Sequence, residues 1–115
     1  MIEIIGRSTC TTCRKAFALL DEKKVPYTFR DYVDSPLSRG ELQRVFDKLG
    51  MTAHDLLRKK DKAYKELGLT GSEDGETLAG HMVEHPGLIQ RPIAMSDGKA
   101  MVARPFDTIL DLAGS

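Results

Sequence analysis

The chain's two cysteines stand together as Cys10-Thr11-Thr12-Cys13. A thiol attacks through its thiolate, and the start of a helix lowers a thiol's pKa because its first backbone N–H groups are unsatisfied and carry partial positive charge. Cys10 falls where a strand gives way to a helix, so it is the candidate nucleophile. The same N–H groups form a natural anion site, with Thr11, Thr12 and Arg14 at the start of the helix as candidate substrate-binding residues. Cys13 lies one helical turn on and is placed to attack an adduct on Cys10 and close a short disulfide. Arg7 and Arg14 flank the pair and add positive charge. Two other readings fit the motif. One is half a zinc site, against which stand the lack of a second Cys-x-x-Cys and the spacing of His54, His81 and His85. The other is a pair of buried small hydrophobes, which suits core-facing Cys13 better than Cys10. A Cys-x-x-Cys directly after a strand is a redox signal.

Arginines are the second chemical resource, since a guanidinium gives an oxyanion two parallel hydrogen bonds and a charge that does not titrate away. Arg58 follows Leu56-Leu57, Arg91 precedes Pro92 before a strand, and Arg104 precedes Pro105 between a strand and a helix. Sites are commonly built at such element ends. Arg30, Arg39 and Arg44 read as ordinary solvated arginines. Sequence spacing alone does not bring Arg58, Arg91 and Arg104 together.

The elements that must position these groups follow from periodicity. Ile2-Glu3-Ile4-Ile5 reads as a strand. Cys13, Ala16, Phe17 and Leu20 mark one face of a helix that runs from Thr11 to near Lys24. Tyr27 to Tyr32 is a second strand, which makes a βαβ unit with a parallel, right-handed crossover. Ser38 and Glu41 have capping-box spacing, Leu42, Val45, Phe46 and Leu49 continue that helix, and Gly50 ends it. Short helices are expected over Ala53–Leu57 and Lys62–Leu67, the second closed by Gly68. A further helix carries Leu78, Ala79, Met82 and Val83 and stops at His85-Pro86. Ile93–Met95 and Ala100–Val102 form a hairpin around Asp97-Gly98. Pro105 suits the first turn of a last helix whose buried face is Phe106, Ile109, Leu110 and Ala113.

Seventeen basic residues balance seventeen acidic ones among 115, so no overall charge draws the molecule to nucleic acid or to an anionic membrane. No apolar stretch approaches the ~18–20 residues of a membrane span. The N-terminus lacks the form of a signal peptide, and two cysteines are too few for a disulfide scaffold. The expectation is one cytoplasmic α/β domain, with no bound cofactor and no metal.

A set of motifs carries a resemblance over nearly the whole chain. They are Ser8-Thr9-Cys10-Thr11-Thr12-Cys13-Arg14-Lys15-Ala16, Asp31-Tyr32, Pro36-Leu37-Ser38, Leu56-Leu57-Arg58-Lys59-Lys60, the run from Glu84 to Ile93, and Ala103-Arg104-Pro105. Together they resemble the ArsC/Spx family. The resemblance implies a thioredoxin-like fold, βαβ then ββα on a small mixed sheet, in a single domain of residues 1–115 with a helical insertion at about 37–88. It implies arsenate reduction, with Cys10 as the nucleophile and Arg58, Arg91 and Arg104 holding arsenate or a similar oxyanion. Pro92 matches the family's cis-proline beside the active-site loop. Glutathione with glutaredoxin, or thioredoxin, is the implied external reductant and partner.

Three departures qualify this match. Gly6 stands where the glutaredoxin-coupled reductases carry a histidine that helps ionise the cysteine, a task that passes to Arg7. Cys13 stands where those enzymes have serine, which makes the resolving thiol internal. Cys-Thr-x-Cys-Arg-Lys-Ala and His-Pro-Gly-Leu are closer to Spx, a redox-sensing transcription regulator. That alternative implies RNA polymerase α-subunit as partner and Cys10–Cys13 as a disulfide switch, although Spx-like chains lack a counterpart of Arg104-Pro105.

Overall fold

The computed structural model describes residues 2–96 and 99–113. The chain divides into two compact units, one formed by residues 1–35 with 91–115, the other by 36–90.

The first unit is built on a four-stranded sheet of order β2-β1-β3-β4. Strand β1 (Ile2–Gly6) pairs in parallel with β2 (Tyr27–Asp31), so that Ile2 lies opposite Tyr27 and Gly6 opposite Asp31. The connection between them is helix α1 (Thr11–Glu22), which gives the expected βαβ unit. On its other side β1 pairs antiparallel with β3 (Ile93–Ser96), and β3 pairs antiparallel with β4 (Lys99–Val102). The Asp97-Gly98 turn expected between these last two strands lies outside the described residues.

The core of this unit follows the sequence pattern. Ile2 and Ile4 of β1 pack with Ala16 and Leu20 of α1 and with Ala94 and Ala103, while Glu3 faces solvent. Phe17 of α1 lies between Tyr27 and Phe29 of β2, stacked on the first at 5.5 Å and edge-on to the second at 4.6 Å. The chain's last helical stretch departs from the expectation. Pro105 has an extended ψ of 160° and precedes a 3₁₀ turn at Phe106–Thr108, and α6 (Ile109–Ala113) begins only after it. The Pro105 carbonyl instead receives both the N–H and the hydroxyl of Thr108. This shifts the phase of the buried face to Ile109 and Leu112, with Phe106 and Leu110 half-buried. The side chain of Ala113 lies outside the described residues.

The second unit is helical. Helix α2 (Arg39–Leu49) opens with both halves of the Ser38/Glu41 capping box and closes on Gly50, whose φ of +66° is the left-handed conformation that glycine adopts without strain. Short helices α3 (Ala53–Leu56) and α4 (Lys62–Glu66) follow, then α5 (Gly75–Glu84), which packs against α2 and α3. A 3₁₀ turn at Pro86–Leu88 was not foreseen from the sequence. It leads into Ile89 and Gln90, whose backbone pairs with that around Leu57. No helix among the described residues is long and apolar enough to cross a membrane.

Candidate functional site

The loop after β1 delivers Cys10 to the first turn of α1. Asp31, at the end of β2, shapes this loop by accepting the backbone N–H groups of Ser8 at 3.0 Å and Val33 at 2.9 Å. Burial acts to raise the Asp31 pKa, but these N–H groups outweigh it and hold the carboxyl below its usual range. The Cys10 N–H then donates to the Arg7 carbonyl at 3.1 Å, which closes the turn.

Cys10 is itself the N-cap of α1. Its backbone is extended, and its sulfur accepts the N–H of Cys13 at 3.4 Å, the position that a serine or aspartate oxygen usually takes. Only 8% of the residue is exposed. Burial alone would raise its pKa. The Cys13 N–H, the Cys13 thiol and the Arg91 guanidinium together overcome that penalty, and the Cys10 pKa falls below its ordinary value. Cys13, with no exposed surface, goes the other way. Burial first, then the neighbouring Cys10, push it up to about 12, against the opposing pull of the Arg7 N–H. The pair is thus polarised into one ready thiolate and one thiol that keeps its proton.

Arg91 is the cation at this site. Its Nη1 donates to the Tyr32 phenol oxygen at 2.8 Å, and its carbonyl accepts from Arg104 Nε at 2.6 Å. Its own Nε is buried and has no hydrogen-bond partner among the described residues. Pro92 follows in a cis peptide bond, as does Pro105 after Arg104. A Cβ placed on Gly6 would come within 3.7 Å of Pro92 Cβ and 2.7 Å of Cys13 Sγ.

The first unit therefore brings Cys10, Cys13, Arg91, Pro92 and Arg104 into one connected set. Thr11 and Arg14 lie exposed on the first turn of α1 and Thr12 half-buried beside them. Arg58 belongs to the second unit, where its N–H donates to the Leu88 carbonyl at 2.6 Å and its Nη1 lies 3.6 Å from Asp61. Sequence reasoning gave no role to Tyr32, Asp31 or Asp61. An aspartate closing a strand before a turn is a recognisable local signal for Asp31; for Tyr32 and Asp61 the signal is tertiary.

Residues 6–112 match the model of the ArsC family. An arsenate reductase of Neisseria meningitidis is 38% identical over 94% of this chain and 94% of its own. The protein YfgD of Escherichia coli is 34% identical over 98% and 97%. Among solved structures, arsenate reductase from Vibrio cholerae superposes with a TM-score of 0.87 at 31% identity, over 96% of this chain and 95% of that one. With this match across its length and a thioredoxin-like fold beneath it, the chain belongs to the ArsC family and is an oxidoreductase of the arsenate-reductase type.

Proposed function

We propose that the chain reduces arsenate to arsenite at the expense of thiols, with Cys10 as the nucleophile and Cys13 as the resolving thiol. The observation that carries the reading is the Cys10 sulfur capping α1 beside Arg91, a guanidinium with a buried and unpartnered Nε–H. A helix start and a fork of donors are what an attacking thiolate and a tetrahedral oxyanion both need.

The Cys10 thiolate attacks arsenic, a sulfur–arsenic bond forms, and one arsenate oxygen takes up protons and leaves as water. Arg91 and Arg104, with the N–H groups of Thr11 and Thr12 and the charge of Arg14, offset the charge on the remaining oxygens. Pro92 borders this site beside Gly6. Cys13 then releases its proton and attacks the Cys10 sulfur. The sulfur–sulfur bond forms, the sulfur–arsenic pair stays on arsenic, and arsenic(V) departs as arsenic(III). The opposed pKa shifts order the two steps: Cys13 keeps its proton while Cys10 is an anion and loses part of that restraint once Cys10 is bonded. An external thiol donor, glutaredoxin with glutathione or thioredoxin, returns the disulfide to two thiols with no bound cofactor. The reading treats residues 1–115 as one functional domain at work in the reducing cytoplasm. Arg58 enters it through the family resemblance alone.

The test is NADPH oxidation by the purified protein coupled to a thioredoxin or a glutaredoxin system. Arsenate-dependent turnover that Cys10→Ser abolishes is the expected result. No turnover with either system at saturating arsenate overturns the reading. A second reading, a redox-sensing regulator that binds RNA polymerase α-subunit, draws on the same polarised thiol pair. It requires reductant-dependent binding of that subunit and no arsenate turnover.

A further inference from the structure

Tyr32 is among the largest side chains with no exposed surface, yet it carries a hydroxyl. A buried phenol needs a hydrogen-bond partner, and this one has the Nη1 of Arg91, 59 residues away in sequence. Its backbone is fixed as well, because the Tyr32 N–H donates to the Gly6 carbonyl at 3.0 Å, at the end of β1. With the backbone fixed and the ring fully buried, packing leaves the phenol oxygen little room to swing. Arg91, by contrast, has a long side chain with several rotatable bonds, and holding it in one place costs conformational entropy. Its backbone is anchored through Arg104, but that contact leaves the guanidinium unconstrained. Among the described residues the guanidinium has hydrogen-bond partners in the rigid phenol and in the Cys10 sulfur it serves.

We infer that Tyr32 is a positioning residue, whose phenol oxygen holds the Arg91 guanidinium facing the Cys10 sulfur. This rests on the reading of Cys10 as the nucleophile and adds to it the group that keeps the activating charge in place. Cys13 and Arg91 face Cys10, while Arg91, Arg7 and Cys13 face the phenol. Burial keeps that phenol protonated well into the alkaline range, so it serves as a neutral acceptor.

The experiment is the pH dependence of Cys10 alkylation by iodoacetamide in the absence of arsenate. Initial rates are read at Cys10 by peptide mass, with burial pushing the Cys13 thiol up to about 12. In Tyr32→Phe the guanidinium loses its anchor, and the Cys10 midpoint rises by roughly half a pH unit or more. In an Arg91→Gln background, adding Tyr32→Phe moves the midpoint no further. A merely structural tyrosine would shift it equally in both backgrounds. An unchanged or lowered midpoint in Tyr32→Phe, or the same rise with and without Arg91, overturns the inference. Should Tyr32→Phe fail to fold, protein labelled with 3-fluorotyrosine replaces it. The weaker phenol acceptor should then raise the midpoint in the same direction, and no rise overturns the inference. Because no arsenate is present, failure here leaves the arsenate reading standing, and failure of arsenate turnover leaves this result standing.

Discussion

At the scale of single residues, the closest fit in the site is between Gly6 and Cys13. The space that a Cβ on residue 6 would occupy holds the Cys13 sulfur, 2.7 Å away. Real Cβ atoms do not approach so closely, so a side chain at position 6 and a thiol at position 13 compete for one volume. Gly6→Ala should cost about 1–3 kcal/mol by overpacking and slow formation of the Cys10–Cys13 disulfide. Adding Cys13→Ala should recover most of that stability, a coupling that urea unfolding of the two single variants and the double variant measures. A Gly6→Ala protein as stable as its parent would contradict this account. The sequence marked Gly6 only as a departure from relatives. A glycine's meaning lies in which atom fills the missing side chain's place, and no local pattern records that. Arg7, expected to take over ionisation of the cysteine, meets the pair through its backbone: its carbonyl accepts the Cys10 N–H, and its own N–H acts to lower the Cys13 pKa. The charge that lowers the Cys10 pKa belongs to Arg91.

At the scale of elements, local chemistry was legible wherever its partners are near in sequence. The apolar face of α1, the capping box of α2 and the left-handed Gly50 each depend on residues no more than a few turns apart. Ser38 accepts from the Glu41 N–H at 3.1 Å while Glu41 Oε1 accepts from the Ser38 N–H at 3.0 Å. Ser38→Ala should therefore lower stability by about 1 kcal/mol. Ser38→Asp should keep most of it, with chemical denaturation as the measure. Where the reading failed, longer-range or subtler geometry decided. Pro105 could equally have opened a helix, but its extended ψ makes it the residue before a 3₁₀ turn, and the buried positions shift with it. The joining of Tyr32 to Arg91 was illegible for a plainer reason. It forms only once β3 has entered the sheet beside β1 and brought residue 91 back to the end of β2.

At the scale of the whole molecule, the two thiols impose opposite slopes on stability. Below the ordinary thiol value of 9.0, unfolded Cys10 holds a proton that the folded thiolate has released, so stability rises with pH. Above 9.0, unfolded Cys13 has lost a proton that the folded thiol retains up to about 12, so stability falls. The thiol contribution thus peaks near 9.0. Urea midpoints across pH should show the rise flattened in Cys10→Ser and the fall flattened in Cys13→Ala; unaltered slopes in both would refute the opposed shifts. The balanced charge of 17 basic and 17 acidic residues gave no sign of any of this, because the polarisation is confined to one helix start. The division of the chain has a consequence for its synthesis. Residues 36–90 are contiguous, whereas the unit that carries the thiols joins residues 1–35 to 91–115. A ribosome therefore delivers Cys10 early and its cation, Arg91, only after the whole helical segment. Until β3 emerges to pair with β1, the nascent cysteine has at most the Cys13 N–H of its own helix and no guanidinium beside it. Its activation is completed only when the segment that follows the helical unit arrives.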